Sequence, residues 1–137
     1  MKSPITSSNP SAASGKLVRA HSEMLRIMRQ SSLSKLFSIV SAFRRKHAQM
    51  PMQQAQILLA VAAHPGITLV ELSALTGTTQ PSTSRNVSAL SDVHRTGAQG
   101  LGLVEMRPNG RDRRATNLYL TGEGREMLGD LMCIIGH

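Results

Sequence analysis

The chain has 137 residues with one Tyr, two Phe and no Trp, and its sixteen Lys and Arg outweigh eight Asp and Glu for a net charge of +8. That length suits one ordinary domain, and the shortage of aromatic residues argues against a sheet sandwich and for helices packed on Leu, Ile, Val, Met and Ala. The charge points to nucleic acid, an anionic surface or an acidic protein as partner, and the single Cys133 excludes an intrachain disulfide and suits a reduced cytosolic setting.

Residues 1–14 are Ser, Pro, Asn and Ala with little to bury, and are expected to form a flexible polar arm. They contain no apolar core of signal-peptide length, and no run anywhere is long enough to span a membrane. The acid-poor, Arg- and Ser-rich first third shares its composition with organellar transit peptides, but its heptad-like apolar spacing argues that it is kept and packed. Nine Lys and Arg lie within residues 1–50 against Glu23 alone, while the remaining seven arginines are matched by seven acids. A basic segment therefore precedes a balanced body.

Residues 15–50 read as an N-terminal helical dimerisation segment. Leu17, Met24 and Met28, then Leu33, Leu36, Val40 and Phe43, recur at helical spacing, as one long helix or as two with Ser31 and Ser32 capping the second. The stripe Leu33, Leu36, Val40, Phe43 is either intramolecular core or the seam of a homodimer.

Residues 51–137 read as one compact domain. Pro51 starts a helix that stops at Pro65-Gly66 and buries Ile57, Leu58 and Val61. Thr68 with Glu71 has the capping-box spacing for a helix ending at Gly77, and Thr79, followed by Pro81, caps the next one, with Val87, Leu90 and Val93 on its inner face. Two short helices around a tight turn are a helix-turn-helix. Between Thr79 and Ser91 there is no carboxylate, and the outward face is expected to offer Gln80, Ser82, Ser84, Arg85 and Ser88, small hydroxyls, an amide and a guanidinium suited to phosphates and base edges.

After a glycine-rich loop, Val104 to Arg107 and Thr116 to Leu120 read as strands, with Asn109-Gly110 a two-residue hairpin signal. A hairpin in that place is a wing. Unbroken alternation puts Asp112 and Arg114 on the side of Leu118 and Leu120, with Arg111 and Arg113 pointing the other way. A last helix follows, burying Met127, Leu128, Leu131 and Met132. The fold class is thus mostly α with a small β-hairpin, a winged helix-turn-helix preceded by a long helical segment.

Residues from about Met52 to Leu128 resemble the MarR family of bacterial transcription regulators. The resemblance rests on "ILLAVAAHPGITLVELSALTG", "TQPSTSRNVSAL" and the wing string, where Gly102 to Glu105 match a Gly-Leu-Val-Glu strand, Asp112 and Arg114 an Asp-x-Arg signature, and Leu120, Thr121 and Gly124 a Leu-Thr-x-x-Gly helix start. It implies a cytoplasmic homodimer on a palindromic double-stranded DNA operator. Gln80, Ser82, Ser84 and Arg85 would enter the major groove, and Arg111, Arg113 and Arg114 would lie over the minor groove. Asn86 departs from the family's apolar position, Ser88-Ala89 replace a frequent Lys-Arg, and "SDVHRTGAQGLG" is longer than the usual link. The chain ends at His137, short of a further helix that family members use in dimerisation. Dimerisation is therefore expected to lean on residues 17–45, and a small-molecule effector is left open.

No enzymatic motif stands out. His21, His47, His64, His94 and His137 lack metal-ligand spacing, and neither a cofactor nor a metal is expected. A winged-helix protein-interaction module and a non-specific DNA-packaging protein are the alternative functions.

Overall fold

The computed structural model describes residues 8–92, 99–111 and 115–136. The chain divides into two units, Met1–Ser38 and Ile39–His137. Helix α1 spans Ser8–Lys46 without a break, so the two-helix alternative falls away. Its start corrects the expected arm, because residues 8–14 are already helical. Once a long helix is nucleated each further residue adds a hydrogen bond, Ala and Ser extend it at small cost, and Pro10 sits in the first turn, where no N–H is required. The last turn carries Arg44, Arg45 and Lys46, opposite in sign to the helix's C-terminal partial charge.

The second unit contains α2 (Met52–Ala63), β1 (Ile67–Thr68), α3 (Leu69–Thr76), α4 (Gln80–Leu90), β2 (Val104–Pro108), β3 (Thr116–Leu120) and α5 (Gly122–Ile135). Its core gathers Ile57 and Val61 of α2, Leu72 of α3, Val87 and Leu90 of α4, and Leu103, Val104 and Leu118 around the sheet, all essentially inaccessible. Each such side chain contributes about 1.5–3 kcal/mol by leaving water. Ala42 and Phe43, from the end of α1, join this core. Phe43, 7% exposed, is therefore withdrawn from the expected dimer seam. A helical stripe shows that something covers it, and here the chain's own body does.

The sheet has the order β1-β3-β2, antiparallel throughout. Val104 faces Leu120, and Met106 and Ile67 both face Leu118, so these apolar residues share one face, on which Val104, Ile67, Leu118 and Leu120 are buried and Met106 is exposed. Asn109-Gly110 does not make a two-residue turn. Pairing continues past Pro108 and Thr116 to the Asn109 N–H on the Ala115 carbonyl, so Asn109 lies in the ladder and not in a turn. A two-residue turn would set Ala115 opposite Val104 and leave Leu118 and Leu120 without partners in β2. Burial of those leucines sets the register over the local turn preference, and the Asn109 Oδ1 instead accepts from the Arg111 N–H.

The start of α5 is built around Leu103. Its carbonyl accepts from the Thr121 N–H at 3.0 Å, the Thr121 hydroxyl donates to the Gly102 carbonyl at 2.6 Å, and the same hydroxyl caps α5 by accepting from the Gly124 N–H. A Cβ on Gly124 would stand 2.2 Å from the Leu103 carbonyl oxygen, which explains why the Leu-Thr-x-x-Gly pattern requires glycine. Gly129 of the same helix has open space around it. Gly124→Ala is expected to destabilise the protein by about 1–3 kcal/mol through forced displacement, whereas Gly129→Ala should stabilise it by about 0.5–1 kcal/mol. Urea denaturation of the pair checks this, and equal effects would contradict it.

Candidate nucleic-acid interface

The turn between α3 and α4 is set by local chemistry. Thr68 and Glu71 form the full capping box, and the backbone and side-chain hydrogen bonds from Thr68 hold the Glu71 carboxyl below the ordinary carboxylate range. Because that pKa is lowered on folding, the cap's contribution is complete above the unfolded range and is lost as pH falls through the folded value. Gly77 closes α3 in the left-handed region at φ 71°, which costs glycine no steric strain. Thr79 then caps α4 by accepting from the Ser82 N–H.

Between these helices lies a set of hydroxyls. Thr83, fully buried, donates to the Thr79 carbonyl and lies 3.1 Å from Ser73 Oγ and 2.7 Å from Thr78 Oγ1. Thr78 in turn lies 3.0 Å from Thr76 Oγ1. A buried hydroxyl is tolerated only when partnered, so this cluster fixes the angle between α3 and α4. Sequence spacing did not reveal it, since Thr and Ser in a turn read equally well as caps.

Successive helical residues are about 100° apart, and the structure divides α4 accordingly. Thr83, Val87 and Leu90 are buried, while Gln80 and Arg85 are exposed and Ser84 and Ser88 half-exposed. These four residues keep the outward placement expected of them. Among the described residues Arg85 has no hydrogen-bond or ion-pair partner. Ser82 is exposed to the same intermediate degree as Ser84 and Ser88, on the flank toward α2, with its hydroxyl 3.5 Å from Gln53 Oε1. Asn86 lies on that flank too, which accounts for a polar residue at the family's apolar position: its side chain bonds to Gln53 and Gln54 of α2.

The C-terminal end of α4 is equally fixed. The carbonyls of Ala89, Leu90, Ser91 and Asp92 accept from the N–H groups of Leu101, Leu103, Gly102 and Gly100 respectively. A Cβ on Gly100 would meet the Ser91 carbonyl oxygen at 1.8 Å, so the returning chain must be glycine there. The long link is thus closed at its base, and β2 begins from a fixed point despite the extra residues.

In the wing, Arg111 is exposed. Asp112, Arg113 and Arg114, with their expected alternation, lie outside the described residues, as does Val93. Arg107, which the sequence reading left aside, is paired with Glu105 and stacked over Tyr119 at 4.2 Å from the ring centroid. Of the expected seam, Leu33, Leu36 and Val40 are exposed, and Phe37, four residues from Leu33 and so on the same side of the helix, is 75% exposed and had been missed. Among the described residues no cluster could hold a metal ion, and no helix is long and apolar enough to cross a membrane.

Comparison with known proteins agrees with this geometry. Residues 48–93, which include α2, α3 and α4, match the profile of the MarR family. A MarR transcriptional regulator from Methanosarcina mazei Go1 superposes with a TM-score of 0.57 at 18% identity, over 83% of this chain and 75% of that one. The S. aureus MepR–DNA complex gives 0.55 at 18% identity, over 85% and 82%, and a cysteine-to-serine mutant of E. coli MarR complexed with operator DNA gives 0.57 at 19% identity, over 83% and 74%. No curated protein matches the chain.

The hydroxyl cluster carries a direct expectation. Thr83→Val keeps the shape but leaves Ser73 and Thr78 without their shared partner, and should cost about 1–3 kcal/mol in urea denaturation. A loss under about 0.5 kcal/mol would show that the cluster does not set the angle.

Proposed function

Starting from a chain with a MarR-family segment on a MarR-type winged-helix fold, we propose that this protein is a sequence-specific double-stranded DNA-binding transcription regulator. The observation that carries the reading is the surface of α4. The helix is carboxylate-free, packed on its inner side and along one flank, and its open arc presents Gln80, Ser84, Arg85 and Ser88. Hydroxyls and an amide approach phosphates without repulsion, and a guanidinium pairs with guanine in two-point geometry. In the proposed complex α4 enters the major groove and the wing arginines Arg111, Arg113 and Arg114 lie along the backbone or minor groove.

Titration against selected and random duplexes at two salt concentrations tests this. The expected result is salt-sensitive binding with a clear preference for the selected site. Equal affinity for every duplex would favour packaging by the basic first third, and no DNA binding would favour a protein-interaction module. On the selected site, Arg85→Ala should cost about 1–3 kcal/mol and relax preference at one base pair. A uniform loss over all operator variants would make Arg85 a phosphate contact instead.

Asp112 is proposed to orient Arg114 rather than to face phosphate. Asp112→Ala should then weaken binding, and Arg114→Ala should cost little more in its presence. Tighter binding by Asp112→Ala would make the aspartate incidental.

The assembly is proposed to be a homodimer suited to a palindromic site. Its seam is assigned to the exposed stripe Leu33, Leu36, Phe37 and Val40 of α1, without Phe43. Leu36→Asp with Val40→Asp would bury unpaired charges in that seam, and sedimentation should report monomers. Persistence of dimers would place the interface elsewhere.

A further inference from the structure

The flank between α2 and α4 holds three amides in a row whose direction can be deduced. Asn86 Nδ2 donates to the Ser82 backbone carbonyl at 3.1 Å. A carbonyl can only accept, so this bond fixes which end of the Asn86 amide is nitrogen. Asn86 Nδ2 also donates to Gln53 Oε1 at 2.9 Å, and Asn86 Oδ1 accepts from Gln54 Nε2 at 3.3 Å. The orientation of both glutamines follows from the one residue between them.

Two consequences lie at the ends of the row. At the inner end, Gln54 is 8% exposed and its Oε1 is the one buried side-chain oxygen or nitrogen without a partner among the described residues. Reversing the row would relieve that oxygen but would turn the Asn86 oxygen against the Ser82 carbonyl. At the outer end, Gln53 Oε1 is occupied by Asn86 and by the Ser82 hydroxyl. The remaining capacity of the half-buried Gln53 amide is donation, and among the described residues its Nε2 donates to nothing. The row therefore ends in a donor-only group beside the first turn of α4.

We propose that Gln53, held by Asn86, is a further DNA-contacting residue, whose Nε2 donates to a backbone phosphate oxygen flanking the base pairs read by α4. The proposal rests on the DNA-binding reading of α4. A phosphate oxygen matches what the geometry leaves, an acceptor for a neutral donor next to a carboxylate-free helix. Asn86 acts as a positioning residue, and the apolar side chain expected at its place would leave Gln53 free to rotate.

Binding of a labelled duplex, read by fluorescence anisotropy with thermal melting in parallel, tests the assignment on the full chain. Gln53→Met retains length and helix propensity without the donor. It should weaken binding about tenfold or more, equally for selected and random duplexes, with at most a small fall in melting temperature from the acceptor it also removes. Gln53→Glu still accepts from Asn86 and Ser82 but sets a negative charge against phosphate, and should weaken binding further. Asn86→Leu should lose about as much as Gln53→Met, and the double variant no more than either. Wild-type affinity in Gln53→Met, or additive losses in the double variant, overturns the proposal while the DNA reading stands. Absence of salt-sensitive binding by the wild type to any duplex overturns both.

Discussion

The second unit turns on the backbone of one residue, Leu103. Its N–H donates to the Leu90 carbonyl at the end of α4, its carbonyl accepts from the Thr121 N–H at the start of α5, and its side chain is fully buried. The exit from α4, the start of β2 and the cap of α5 are thereby tied at one point. Gly102 and Gly124 follow from it, the first at φ 67° to turn the chain into place, the second to let α5 approach the carbonyl. The position of the wing relative to α4 is set by these bonds rather than by the length of the link before it.

The rest of α4 is held by two kinds of polar contact with different physical meanings. Toward α3 the buried Thr83 hydroxyl meets those of buried Ser73 and part-buried Thr78, where an unpartnered hydroxyl would be costly, so the cluster specifies an angle. Toward α2 the amides of Gln53, Asn86 and Gln54 impose a direction as well, at the expense of one orphaned oxygen. Native structures tend to keep such an exception where another requirement overrides it. With both flanks so fixed, the outward arc of α4 is a rigid surface, and a rigid arc loses less freedom on meeting a rigid duplex.

Much of this was legible in the sequence because the signals were local. The caps at Thr68 and Thr79, the stop at Gly77 and the helix start at Thr121 each depend on residues within one turn of one another. What was not legible depended on distant partners. Asn86 read as a departure until α2 supplied amides 32 and 33 residues away, and Ser82 was drawn toward the same flank. The Asn109-Gly110 signal was overruled by leucines beyond the turn. Phe43 was ambiguous since periodicity identifies a covered face without naming its cover. The carboxylate-free outer face of α4 was readable for the opposite reason, as a run without acidic residues is visible without knowing any contact.

The account's central claim is that α4, locked from within, offers one arc to double-stranded DNA. Amide and side-chain NMR shifts of the full chain, followed as a selected duplex is added, test it most directly. The account predicts the largest perturbations at Gln80, Ser84, Arg85 and Ser88, with Thr83, Val87 and Leu90 little changed. Perturbations confined to the basic residues of α1, or none at any duplex concentration, would contradict it.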